Sequence, residues 1–428
     1  MKLELHKVVV NSLEQGDVTS VSNGVLTVNT NEIVDLLSTD ERLKSVSVEL
    51  ARPGESIRII PVKDAVEPRC KLDGGGEVFP GFVGDVEPVG SGKTLVLSGA
   101  AVVTCGAIVG FQEGIVDMTG PGAEYTPFSG TFNVVLVFEP VEGLEKHDYE
   151  DACRRAGLKT AHFLAEKAKG QKADVVETFE LPQFAKAMTA FPDLPRVGYL
   201  YMLQSQGLLH DTYVYGVDAK RILPTLIHPN EVMDGAVVSG NCVSACDKNS
   251  TYSHVNNPII KHMYERHGKD FNFIGCIITN ENTTLADKKR SSSYAIKLAS
   301  MLGLDGLIIS EEGFGNPDTD LIMNCRKAEQ AGIRTVLVTD EYAGRDGASQ
   351  SLADACKEAD AVVTGANANE TVVLPPMDRV IGVVSSADVI AGGFDGSLRG
   401  DGSIEVEIQA ITGATSELGF SKISARTI

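Results

Sequence analysis

GLIISEEGFGNPDTDLIMNCRKAEQAGIRTVLVTDE, residues 306–341, decides the fold. A continuous apolar run over 306–311 reads as a strand, a helix is expected near 318–331, and a second apolar strand follows over 335–341. Between strand and helix lies the loop EEGFGNPDTD, with Asp318 placed after Pro317 as a helix N-cap. Strand, helix, strand with unbroken apolar strands is the pattern of a parallel sheet covered on both faces.

Further apolar strands are expected at 197–204, 273–280 and 361–366, and further helices near 285–302 and 349–359. Upstream, DYEDACRRAGLKTAHFLAEKAKG sets Tyr149, Ala152, Cys153, Ala156, Phe163, Leu164 and Ala168 at helical spacing. Asp148 reads as its N-cap and Gly170 as its stop. Residues before it are different in kind: KVVVNSL, GVLTVNT, SVSVELA, SIRIIPV and FNVVLVFEP are short strands cut by Gly, Pro and Asp/Asn. The expected fold is therefore α/β in three parts. A β-rich module spans 1–145, a helix-covered parallel-sheet domain spans 146–385, and a β-like tail spans 386–428, with the N-terminal module as its candidate pairing partner.

Composition narrows the function. With 428 residues, 43% hydrophobic, the chain can bury a large core. A formal charge of −20 with no basic block argues against nucleic acid and anionic membrane as partners. No apolar run is long enough for a membrane span and the start has no leader character, so a cytoplasmic protein is expected. The eight cysteines are scattered as reduced thiols would be. EPVGSGKT fails as a phosphate loop because Glu87 stands where the first Gly is required, and no dinucleotide fingerprint is present, so no nucleotide is expected.

Two stretches carry chemistry. In the 311–318 loop, Glu311, Glu312, Asn316 and Asp318 stand where a parallel sheet presents ligand-contacting groups, beside a helix N-terminus suited to a carboxylate. In SGNCVSACDKNSTYSHVNNPIIKH (239–262), Cys242, Cys246, His254, Asn256, Asn257 and His262 form the densest reactive set. Zinc binding, a thiol pair and a structural loop all remain open there. The step Gly240-Asn241-Cys242 adds a fourth reading. A Cys after a pliable Gly-Asn can attack the Asn241 carbonyl in an N-to-S acyl shift, and β-elimination then leaves a dehydroalanine that hydrolyses to a pyruvoyl group. His254 is the candidate acid/base, Asn256 and Asn257 the polar orienters, and Cys246 a helper in processing.

GNCVSACDKNSTYSHVNNPIIKHMYERHGKDF (240–271), ITNENTTLADKKRSS (278–292) and SEEGFGNPDTDLIMNCRKAE (310–329) resemble the precursor of component B, alpha and beta subunits, of the glycine, sarcosine and betaine reductases. MKLELHKVVV and AAVVTCGAIVGFQEGIVDM extend the likeness over the whole chain, and the D-proline reductase proprotein is similar at greater distance. The resemblance implies cleavage between Asn241 and Cys242, a pyruvoyl cofactor derived from Cys242, and two pieces that stay associated. It implies an oxidoreductase subunit for reductive deamination of glycine, sarcosine or betaine. The implied partners are a selenoprotein subunit of component B, the component A selenoprotein, and component C, which releases acetyl phosphate. The alternatives are a non-catalytic amino-acid-binding module using the 311–318 loop, or a D-proline reductase-type subunit.

Overall fold

A computed structural model describes residues 1–110, 113–207, 209, 212–240, 249–411, 419–420 and 423–424. The chain is α/β, and strands between Arg196 and Asn367 build a six-stranded sheet. In spatial order its strands are Thr225–Ile227, Asn272–Asn280, Arg196–Leu203, Gly306–Ser310, Arg334–Glu341 and Val362–Asn367. The first is antiparallel to its neighbour and the other five are parallel. Counted along the chain, the parallel strands run 2-1-3-4-5. The order therefore reverses between Arg196–Leu203 and Gly306–Ser310, and the crevice at the carboxyl ends of those two strands is where such sheets hold ligands.

Helices Leu285–Met301 and Asn316–Gln330 cover one face, packing Ala295, Ala299, Leu321 and Cys325 on Leu200, Met202, Ile309 and Leu337. The opposite face carries Tyr199, Tyr201, Leu203 and Phe273. These meet Ile259, Ile260 and Met263 of helix Pro258–Arg266, and Leu3 and Leu5 of the first strand, Lys2–Val9. The N-terminal region thus takes the place that a covering helix would fill.

That region holds a small sheet of Ser12–Gln15, Val25–Val28 and Ser20–Ser22 and two larger ones. One orders Val175–Glu180, Lys2–Val9, Gly92–Ser98 and Arg69–Asp73. The other is built around Ile57–Val66 and Ala100–Cys105, and Arg379–Gly382 pairs in parallel with Ile57–Val66. The helix Lys146–Glu166 buries Tyr149, Ala152, Cys153, Ala156 and Leu164 against strands of both larger sheets.

Three local expectations are corrected. The long helix starts at Lys146, so Asp148 is a first-turn charge favouring the helix dipole instead of the N-cap. Asp318 is likewise inside its helix, and its carboxylate reaches back to accept the Gly315 N–H at 2.9 Å. The helix expected near 349–359 is absent: no helix occurs over 342–361. Gly344 and Gly347 take positive φ there, and Asp346 accepts the Ala348 N–H, so local turns consume the amides that a helix would need.

Candidate functional site

Each parallel strand at the order reversal, and those beside it, ends in a polar side chain. Tyr201 and Gln204 come from the end of Arg196–Leu203, Glu281 follows Asn272–Asn280, and Glu311 and Glu312 follow Gly306–Ser310. Glu312 is fully buried. Its Oε2 accepts the Gln204 N–H at 2.7 Å and the Thr212 hydroxyl at 3.2 Å. Oε1 accepts the Asn249 N–H at 3.0 Å and lies 3.5 Å from His254 Nε2. The Glu312 N–H in turn donates to Glu281 Oε1 at 3.1 Å. A carboxylate buried this deeply is held by several donors at once, which satisfies it and fixes its orientation.

His254, also fully buried, stands on the short helix Thr251–Val255. Its Nδ1 lies 2.6 Å from the Tyr201 hydroxyl. With a carboxylate facing Nε2, that nitrogen is the one suited to carry the ring proton, and Nδ1 accepts from Tyr201. Tyr201, His254 and Glu312 therefore form a line of groups able to hold or pass a proton.

A second acidic pair lies beside it. Glu311 Oε2 accepts the Thr339 hydroxyl at 3.0 Å. Burial, with Asp318 and Glu281 close by, pushes the Glu311 carboxyl well above its usual range. At Gly313, φ is +98° and any Cβ would stand 2.7 Å from Gln204 Nε2, which is why the loop requires glycine between these acids and the 204 turn.

The remaining sequence candidates are distributed unevenly. Asn257 caps helix Pro258–Arg266 through the Ile260 N–H and touches the site through Tyr199, whose hydroxyl is 2.6 Å from Ser310 Oγ. Asn256 points elsewhere, to Glu67, Arg69 and Lys261. Asn316 is exposed, with its carbonyl accepting Lys288 Nζ at 2.8 Å. Asn241, Cys242 and Cys246 lie outside the described residues, but the chain on either side is placed. Gly240 follows the strand Val237–Ser239, and Asn249 donates directly to Glu312. Sequence reading missed Tyr201, Gln204, Thr212 and Glu281. The signal that marks Glu311 and Glu312, position just past a parallel strand, also marks Gln204 and Glu281. Among the described residues, no group of three or more His, Cys, Asp or Glu side chains is arranged to hold a metal ion.

A family model described as glycine/sarcosine/betaine reductase component B subunits matches residues 1–426. The glycine reductase complex component B subunits alpha and beta of Acetoanaerobium sticklandii are 63% identical, over 100% of both chains. The protein of that name from Peptoclostridium acidaminophilum is 59% identical, again over 100% of both. The sarcosine reductase complex component B subunit alpha of Peptoclostridium acidaminophilum is 53% identical over 100% of both. No solved structure matches the chain.

Proposed function

The chain belongs to the family of glycine/sarcosine/betaine reductase component B subunits, and from that premise we propose that it is a precursor cut between Asn241 and Cys242. Residue 242 then becomes a pyruvoyl group that activates a small amino acid for reductive loss of its amine. In the first step the Cys242 thiolate adds to the Asn241 carbonyl carbon. The peptide C–N bond breaks, giving a thioester and a free amine on residue 242. Loss of the residue 242 Cα proton expels the Asn241 thiocarboxylate. The enamine left behind takes up water and releases ammonia, leaving a carbonyl.

The observation that carries this reading is the placement of both ends of the 241–248 segment. One end follows Ser239 and the other, Asn249, is bonded to Glu312 in the buried His254 and Tyr201 cluster at the strand-order reversal. The donor set suits a reactive carbonyl: a phenol, an imidazole and carboxylates. The two glycine reductase relatives lend support from another side, because each name assigns two subunits to one chain of this length.

When formed, the group supplies an electron sink for a bound amine, with the selenolate of a partner subunit as the proposed nucleophile at the substrate carbon. The chain's own residues do the rest. His254 holds or moves a proton at Nε2, with Tyr201 fixing the ring from Nδ1. Glu312 offers the negative charge that suits an ammonium substrate. Glycine is the first substrate to assay, since the glycine reductase relatives are 63% and 59% identical and the sarcosine relative 53%.

Intact mass analysis of the purified native protein tests the reading. Two pieces ending at 241 and beginning at 242 are expected, the second blocked to Edman degradation and reactive toward carbonyl reagents. A single uncut chain from the native host overturns it, as does a Cys242→Ala variant that supports full turnover in the assembled complex.

A further inference from the structure

Asp64 lies far from the processing dipeptide in sequence and belongs to the N-terminal module, on strand Ile57–Val66. Where this strand pairs with Ala100–Cys105, the register shifts between Val62 and Asp64. Such an irregularity re-aims the side chains beside it. Asp64 points into the fold, buried, and grips Thr251 twice. Its Oδ1 accepts the Thr251 N–H at 2.8 Å and its Oδ2 accepts the Thr251 hydroxyl at 2.6 Å. The same hydroxyl oxygen accepts the N–H of Ser239 at 3.0 Å, joining positions 12 apart in the chain. Ser239 and Thr251 are both fully buried.

We propose that Asp64 and Thr251 are positioning residues that clamp Ser239 to Thr251, described residues on either side of the proposed cut, and thereby favour attack of Cys242 on Asn241. The inference rests on the reading of the chain as a precursor cut at that bond. Capping accounts for only part of the contact: Ser250 caps helix Thr251–Val255 by accepting the Ser253 N–H at 3.1 Å and Asp64 takes the first-turn Thr251 N–H, but the Asp64 bond to the Thr251 hydroxyl serves no helix amide. What the Asp64 carboxylate adds is a hold on the Thr251 hydroxyl, and through it on Ser239, two residues before Asn241. Ser239 is held from the other side by its pairing with Thr212, whose hydroxyl donates to Glu312. The clamp and the Glu312 cluster therefore fix the two ends of one segment.

The clamp acts on the step in which the Sγ–C bond forms, the peptide C–N bond breaks and the departing amine takes a proton. No oxidant or reductant enters. Fixing both ends lowers the entropy that the chain must lose to reach attack geometry, and misplacement by about 1 Å can cost about 100-fold in rate.

The test follows cleavage of the freshly made full-length chain by denaturing gel and intact mass, alongside thermal melting. Thr251→Val and Asp64→Asn are expected to slow cleavage by at least about tenfold, and Thr251→Ser, which keeps the hydroxyl, to restore it to within about threefold of wild type. Thr335→Val is the control for lost stability. Thr335 is buried at the opposite end of the sheet and donates its hydroxyl to Glu329 at 2.8 Å. It is expected to lower the melting temperature without slowing cleavage. If wild type is cut and Thr251→Val is cut at the same rate, or if Thr335→Val slows cleavage as much, the clamp is wrong while the precursor reading stands. A wild-type chain that is never cut at 241/242 overturns both.

Discussion

The Tyr201 hydroxyl and His254 Nδ1 are 2.6 Å apart in a site where neither side chain reaches solvent. The contact joins the end of a parallel strand to the short helix Thr251–Val255, which follows the proposed cut. It leaves Nε2 facing Glu312 Oε1 at 3.5 Å.

Removing the hydroxyl alone tests whether this orientation matters for turnover. Tyr201→Phe keeps the packing and leaves Nδ1 without its donor, at a stability cost of about 1 kcal/mol. In the assembled complex kcat is expected to fall about tenfold or more, with KM within about twofold, because a misdirected acid/base affects the chemical step more than binding. An unchanged kcat, measured in steady state with glycine, would remove His254 from its proposed role.

A separate histidine controls acid stability. His228 Nδ1 accepts the Asn230 N–H at 3.2 Å as a helix cap, so this nitrogen has to stay unprotonated, and burial pushes the His228 pKa down to about 4 from 6.5. The unfolded chain takes up a proton below about pH 6.5 that the folded chain refuses. Stability therefore falls as pH drops from 6.5 toward 4, by about 1–2 kcal/mol from this group after allowance for its partial exposure. His228→Asn keeps a capping oxygen and does not titrate. Urea unfolding at pH 7 and pH 5 should show a smaller acid loss in the variant than in wild type.

What could be read in the sequence and what could not divides along physical lines. Continuous apolar runs such as 273–280 and 306–311 mark buried strands whatever surrounds them, and each formed within a residue or so of expectation. The stretch 349–359 has helical composition but no apolar stripe strong enough to outweigh the turns at Gly344 and Gly347, and it is not helical. The placement of Glu311 and Glu312 just past a parallel strand was legible, because the apolar run before them marks the strand end. Asp64 was not legible: its bond to Thr251 spans 187 positions and depends on a register irregularity that no local pattern announces. Asn256 and Asn257, adjacent in sequence, separate on folding because one turns toward Arg69 and the other caps a helix.

Glu311 predicts a pH effect of opposite sign to that of His228. Its carboxyl is held well above the usual range by burial and by neighbouring acids, so above about pH 4.5 the folded chain keeps a proton that the unfolded chain releases. Stability from this group therefore declines as pH rises. Glu311→Gln replaces the carboxyl by an uncharged near-isostere that can still accept from the Thr339 hydroxyl. The variant is expected to gain on wild type between pH 5 and pH 8 in chemical denaturation; a gap that closes over that range would contradict the assignment.

The strand order makes a last prediction about the cut chain. Arg196–Leu203, which precedes the proposed cut, is hydrogen-bonded on one side to Asn272–Asn280 and on the other to Gly306–Ser310, both of which follow it. Arg379–Gly382, also after the cut, pairs with Ile57–Val66 before it. The two pieces thus share sheets, and separating them would expose Tyr199, Leu200, Tyr201 and Met202, all fully buried. Burying each such side chain is worth about 1.5–3 kcal/mol, so cleavage of the single 241–242 bond leaves the fold's main stabilisation intact. The cut protein is expected to elute from a sizing column as a single species, to separate only in denaturant, and to melt within a few degrees of an uncut Cys242→Ala chain. Dissociation of the pieces in native buffer would show that the sheet does not hold them together.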